Sequence, residues 1–237
     1  WDYKSADFLA ELNMPAYKIA SGDVKSIPLL KYIAKIGKPM IISTGGATLD
    51  DIRRAHDAIA PINRQICFLQ CTAAYPAEPE QLNLRVITTF REQFPDVVVG
   101  LSDHENGIAM AVAAYILGAR VVEKHFTLNH TWKGTDHVFS LEPIGMRKLV
   151  RDLRRTPLAM GDGIKRTLDV EKKPLLKMSK KLVAARDLPA GQLLNEKDVA
   201  MKSPGDGLPP YELDRVLGKK LSRALKEDDN ISFEVLQ

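Results

Sequence analysis

His104 and His125 each end a polar motif that follows a short apolar run. Val97-Val98-Val99-Gly100-Leu101 leads into Ser102-Asp103-His104, and Arg120-Val121-Val122 leads into Glu123-Lys124-His125. Imidazole nitrogens are common ligands of divalent ions, and two histidines at equivalent ends of adjacent strands, about 4.8 Å apart, suit one ion. A lone histidine there would read as a hydrogen-bonded structural residue; the pair predicts a metal site. His56 reads as part of a solvated helix face, and His130 and His137 as loop residues.

Lys18, Ser21, Ser43 and Ser102 also fall where apolar runs end. One cation, several hydroxyls and the N–H groups at helix starts can cradle a phosphate or a carboxylate. Each serine alone reads as a helix cap, whereas four with a lysine predict an anion site. Glu123 stands beside the second histidine, either as an acid–base group near the metal or as the ion-pair partner of a nearby lysine or arginine. Thr44-Gly45-Gly46 matches neither a P-loop nor a dinucleotide fingerprint, so nothing in the sequence points to ATP or NAD.

The elements that must position these groups recur along residues 1–155. Apolar runs begin near 16, 39, 66, 97 and 120, so each unit takes 23 to 31 residues. Between them lie segments of helical spacing, such as Leu49 to Ile59, capped by Thr48 or Asp50, and Ile108 to Leu117, closed by Gly118. Strands alternating with helices predict a parallel α/β sheet with ligands at the strand ends. Eight such units close a barrel of typically ~250 residues. With five, the chain reads as an open doubly wound sheet or as a (β/α)₈ barrel lacking its first three units. Residues 156–179, with two prolines, two glycines and many lysines, read as a linker. Residues 180–237 show short strand-like pieces and tight turns, the pattern of a small β-rich domain.

The 237 residues are 45% hydrophobic and 27% charged, which predicts an ordinary folded protein rather than a disordered one. No run of eighteen apolar residues is present, so no membrane span is expected. The first residues, Trp1-Asp2-Tyr3-Lys4, hold neither an initiator Met nor a signal-peptide pattern, and the chain reads as cut from something longer. Its 34 basic and 30 acidic residues are interspersed, a balance that favours anions weakly and does not suggest nucleic acid. Cys67 and Cys71 share one apolar run, roughly 13 Å apart if extended, too far for a disulfide. A reducing, cytoplasmic compartment follows from that usage.

Taken together these strings resemble the sialic acid (N-acetylneuraminate) synthase family and its nonulosonic acid relatives. The resemblance lies in Tyr17-Lys18-Ile19-Ala20-Ser21-Gly22-Asp23, Ile42-Ser43-Thr44-Gly45, and Leu69-Gln70-Cys71-Thr72-Ala73-Ala74-Tyr75-Pro76. Further matches are Gly100-Leu101-Ser102-Asp103-His104, Glu123-Lys124-His125-Phe126-Thr127, Thr131-Trp132-Lys133-Gly134-Thr135-Asp136-His137, and Ser203-Pro204-Gly205-Asp206-Gly207-Leu208. It implies a TIM barrel, here lacking its first three βα units, followed by a small SAF (antifreeze-like) domain. The implied reaction joins phosphoenolpyruvate, N-acetylmannosamine or its 6-phosphate, and water into a nine-carbon 2-keto sugar acid and phosphate. It also implies a divalent metal, Mn²⁺ or Mg²⁺, and a domain-swapped homodimer.

Carried onto this sequence, the resemblance implies His104 and His125 as metal ligands. Lys18, Ser21, Ser43 and Ser102 become phosphoenolpyruvate contacts, Tyr75 and Asp136 line the sugar side, and Glu123 and Asp23 are the catalytic carboxylates. The family's first three strands supply a glutamate, a lysine and an asparagine to the same site; without them the 237 residues alone are expected to be inactive. Ser203 stands where some members have an arginine, and Ala73 where some have an amide. The alternatives are a synthase for another nonulosonic acid (legionaminic or pseudaminic), a carbohydrate-binding relative without catalysis, and a metal-dependent aldolase.

Overall fold

A computed structural model describes residues 2–237, which divide into two compact units meeting in sequence between Asp162 and Gly163. In the first, β1 (Tyr17–Ile19), β2 (Met40–Ser43), β3 (Ile66–Cys71), β4 (Val98–Asp103) and β5 (Val121–Lys124) form one parallel sheet in the order β1-β2-β3-β4-β5. A doubly wound sheet reverses its strand order at a switch point. This one does not, and it curls as the arc of a barrel.

Strand alternation gives the sheet two unlike faces. Ile19, Met40, Ile42, Phe68, Val99 and Leu101 point to one, where they are buried against α2 (Ile27–Ala34), α3 (Leu49–Ile59) and α4 (Val86–Gln93). Lys18, Ile41, Cys67, Leu69, Gly100, Ser102 and Glu123 alternate with them and belong to the other face. Gly100 is required on that face, because a Cβ there would sit 2.3 Å from the Val121 carbonyl oxygen and 2.5 Å from Leu69.

The helices start and stop by local chemistry. The Thr48 hydroxyl accepts the Asp51 N–H at 3.2 Å, and the Asp51 carboxylate accepts the Thr48 N–H at 3.0 Å, a capping box that opens α3. The Thr48 N–H, followed by Lys25, holds the Asp51 carboxyl well below the usual carboxylate range. Gly118, at φ +113°, ends α5 (Ala109–Leu117) in a conformation that only glycine adopts freely. The first helix, α1 (Tyr3–Glu11), was not among the sequence expectations; Asp2 caps it by accepting the Ser5 N–H at 2.8 Å.

Residues 156–179, read from the sequence as a linker, contain helix. They hold the end of α6 (Pro143–Met160), which tolerates Pro157 inside it, and all of α7 (Asp169–Met178). Glu171 accepts the Leu168 N–H at 2.7 Å at the start of α7, and the Leu176 carbonyl near its end accepts the Gly205 N–H at 2.8 Å. Proline spacing hid these helices because a helix can carry a proline at the cost of one backbone bond.

In the second unit β6 (Lys181–Ala184) pairs antiparallel with β7 (Val199–Lys202), followed by a single turn of helix, α8 (Leu213–Val216). Its own core contains Leu182, Leu188, Leu194, Val216, Leu225 and Ile231. Among the described residues no helix is long and apolar enough to cross a membrane.

Candidate active site

The second face of the sheet is open at Lys18 and Glu123, whose side chains are 37% exposed, and its polar residues gather at the C-terminal strand ends, as a parallel sheet dictates. Glu123 is the hub. Its Oε2 lies 3.3 Å from Lys18 Nζ, and its Oε1 accepts the Ser102 hydroxyl at 2.7 Å. Of the two alternatives read for Glu123 the ion pair is present, and its partner is itself a residue of the predicted anion site. Lys18 also donates to the Ile19 carbonyl at 3.0 Å. Lys18, Asp23 and Glu123 line a cavity of about 390 Å³ with apolar residues of α1 and α2.

The other two serines behave differently. Ser21 Oγ accepts the Gly45 N–H at 2.9 Å and lies 3.5 Å from Cys71 Sγ. A Cβ on Gly45 would come within 2.9 Å of Ser21 Oγ and 3.1 Å of Cys71 Sγ, so this approach demands glycine. The Ser43 hydroxyl is buried with no partner among the described residues. Neither serine hydrogen-bonds Lys18 among the described residues.

The two histidines meet edge to face, with ring centroids 5.2 Å apart and planes at 85°. Tyr75 packs on both, at 4.2 Å from His104 and 5.8 Å from His125. His104 Nδ1 lies 2.8 Å from the Thr72 carbonyl oxygen. A carbonyl only accepts, so Nδ1 carries the proton and a neutral His104 presents the lone pair of Nε2. Burial, and then the neighbouring His104, pull the His125 pKa below its ordinary value, which favours the neutral ring. Asp136 Oδ2 lies 3.5 Å from His125 Nδ1. Two imidazoles with a carboxylate beside them fit a divalent cation in donor type. Among the described residues no group of three or more His, Cys, Asp or Glu is gathered for an ion.

Sequence reasoning missed three participants. Thr72 acts through its backbone oxygen, which no side-chain pattern reveals. Asp103 and Lys124 pair at 2.8 Å with side chains 0% and 2% exposed. They alternate with Ser102 and Glu123 and so belong to the helix-covered face. Two opposite charges at core-facing positions of adjacent strand ends were the available signal. One carboxylate oxygen of Glu105 is also buried without a protein partner, and burial pushes that carboxyl up against the opposing pull of Lys124.

Comparison with known proteins follows the same division. The profile of the NeuB family matches residues 1–165, and that of the SAF domain matches residues 181–236. The chain is 42% identical over 236 residues to the human N-acetylneuraminate-9-phosphate synthase, covering 99% of itself and 66% of that protein. It is 39% identical over 234 residues to the N,N'-diacetyllegionaminic acid synthase of Campylobacter jejuni, covering 98% of itself and 70% of that protein. A crystal structure of the Bacillus subtilis spore coat polysaccharide biosynthesis protein spsE superposes with a TM-score of 0.66 at 32% identity, over 100% of this chain and 72% of that one. The chain thus spans just under two thirds of the length of the human relative. With the sequential parallel sheet, the strand-end cluster and the separate C-terminal unit all accounted for, the chain belongs to the NeuB family and carries a SAF domain after it.

Proposed function

We propose that this chain serves a sialic acid synthase reaction. Phosphoenolpyruvate condenses with N-acetylmannosamine, or its 6-phosphate, and water to give a nine-carbon 2-keto sugar acid and phosphate. The observation that carries the reading is the Lys18–Glu123–Ser102 network on the open face of a sheet whose next strand-end residues are His104 and His125. It combines an anion-binding cation, an acid–base carboxylate and a pair of metal-type ligands at one barrel end.

In this reading Lys18, Ser21, Ser43 and Ser102 bind the phosphoenolpyruvate anion. His104 and His125 would hold Mn²⁺ or Mg²⁺, which supplies Lewis-acid polarisation of the sugar aldehyde. The bond forms between C3 of phosphoenolpyruvate and the aldehyde carbon, whose oxygen gains a proton. Water adds at C2, and phosphate leaves with C–O cleavage. Glu123 takes a proton from that water at the oxygen facing Lys18, while Ser102 fixes its other oxygen. Asp23, on the same cavity, is the second carboxylate available for proton transfer. Tyr75 and Asp136 border the sugar side of the histidine pair.

The relatives' names support this choice of substrates, and the legionaminic acid synthase marks the neighbouring alternative, since a few pocket contacts decide between amino sugars. A homodimer in which the SAF domain serves a second copy's barrel, in the cytoplasm, belongs to the same reading; the two free buried cysteines agree with a reducing setting.

The test is phosphate release by the full-length protein from phosphoenolpyruvate with Mn²⁺ and each sugar in turn. Release should require the sugar, stop on chelation and fall sharply in His104→Ala. Sugar-independent release, or aldol cleavage without phosphate, would exclude the reading.

A further inference from the structure

Asp103 and Lys124 have no part in the reaction above, yet they form a buried ion pair beside it. Their Cα atoms are register partners on β4 and β5. Each immediately precedes one of the two histidines, Asp103 before His104 and Lys124 before His125. Lys124 Nζ bonds Asp103 Oδ2 at 2.8 Å and also donates to the Glu105 carbonyl. The other Asp103 oxygen accepts the Glu105 N–H at 2.9 Å. The pair therefore grips both backbone groups of Glu105, just after His104, and Lys124 does so from the strand that carries His125.

Burying two charges is costly, and a well-packed apolar pair of similar volume would often serve stability equally well. What the charged pair adds is direction, because its bonds fix where two strand ends stand relative to each other. The Thr72 carbonyl sets the His104 ring from the β3 side. Among the described residues no hydrogen bond from the side chain of His125 ties that ring to β4; its polar neighbour is Asp136.

We propose that Asp103 and Lys124 are positioning residues whose buried ion pair locks the ends of β4 and β5, holding the imidazoles of His104 and His125 at the spacing needed to share a divalent cation. This rests on the metal reading of the two histidines. Partners behind metal ligands commonly change metal affinity by about 10–100-fold.

The experiment is a Mn²⁺ titration of the full-length protein, read from the electron paramagnetic resonance signal of the free ion, with a thermal melt of each sample. Wild type, His104→Ala, Asp103→Asn, Lys124→Met, Asp103→Asn/Lys124→Met and Asp103→Glu are compared. The single neutral variants should melt earlier, since each strands a buried charge or its partner. The double variant changes no net charge, so its effect on a cation is not Coulombic. It should melt closer to wild type yet bind Mn²⁺ about tenfold more weakly or worse. Asp103→Glu keeps both charges and lengthens the clamp by one methylene, so it reports even if the double variant fails to fold; it too should weaken Mn²⁺ binding. If affinity simply tracks melting temperature and returns in the double variant, or is unchanged in Asp103→Glu, the pair is structural only and the proposal falls. A wild type that binds no Mn²⁺, or binds it equally after His104→Ala, removes the metal reading itself and this inference with it.

Discussion

In the C-terminal unit the buried Asp198 carboxylate accepts bonds from Arg186 at 2.6 Å, Gln192 at 3.2 Å, and the side-chain and backbone nitrogens of Asn195 at 2.7 and 3.1 Å, whereas at the strand ends of the first unit the Ser43 hydroxyl and one oxygen of Glu105 are buried with no partner among the described residues. A buried polar atom left unpaired costs free energy. A fold that satisfies Asp198 fourfold had the means to satisfy Ser43 as well. The difference teaches how to tell scaffold from site. Where every donor and acceptor is consumed, the carboxylate holds turns together; where they are left over, they are available to a ligand.

The comparison breaks first if the strand-end network proves to be scaffold. Lys18→Met and Glu123→Gln should each lower turnover of the full-length protein by about 10²–10³, the size expected for losing one preorganised electrostatic contact. Their melting temperatures should stay close to wild type, because an ion pair with both side chains 37% exposed adds little stability. Large stability losses with modest kinetic effects would reverse the assignment.

Asp198→Ala should instead destabilise the SAF unit by about 2–3 kcal/mol, as Arg186 and Asn195 lose a buried acceptor. Hydrogen exchange resolved to residues 181–236 would localise the loss, and a loss spread evenly over β1–β5 would contradict it. Burial raises the Asp198 pKa, but the Asn195 N–H, Arg186 and Gln192 outweigh it and leave the carboxyl below its ordinary value. The folded state thus holds this proton less tightly than the unfolded one. Its contribution is complete above the unfolded value near 4 and fades as pH falls through the lower folded value. Acid should therefore loosen the SAF unit, and Asp198→Asn should flatten that part of its pH profile.

The smallest effect sharpens the contrast most. Ser43→Ala removes a buried hydroxyl that satisfies nothing in the protein, so stability should be unchanged or slightly raised. The KM for phosphoenolpyruvate should rise by roughly three- to tenfold, the equivalent of one hydrogen bond. A melting temperature that drops with KM unmoved would mean that Ser43 belongs to the scaffold.

Much of this was legible before any coordinates. Short apolar runs flanked by helical spacing located the strand cores of β1 to β5 within one or two residues, because βα units impose that rhythm on any sequence that forms them. The same rhythm put Lys18, Ser102, Glu123, His104 and His125 at strand ends. Strand order was not legible, since five βα units suit an open sheet as well as a barrel arc until pairing is known. Nor was the division of labour within the motifs. Glu123 and Lys124 look alike on paper, and only the register with Ser102 and Asp103 separates the open-face hub from the core-facing clamp. The helices of 156–179 were hidden by proline.

The strict alternation of Ser102 with Asp103 and of Glu123 with Lys124 also bears on how the chain finds its pairing. A strand that slipped by one residue would exchange its two faces. In β5 the slip would thrust Glu123 into the hydrocarbon layer around Ala111, Leu141 and Leu149, with neither Lys18 nor Ser102 in reach, and would turn Lys124 out of its bond to Asp103. Both errors strand a charge in a dry place, at a cost comparable to a sizeable share of a domain's net stability of about 5–15 kcal/mol. Misregistered states are therefore penalised twice, and the charges at these strand ends proof-read the assembly of the sheet during folding.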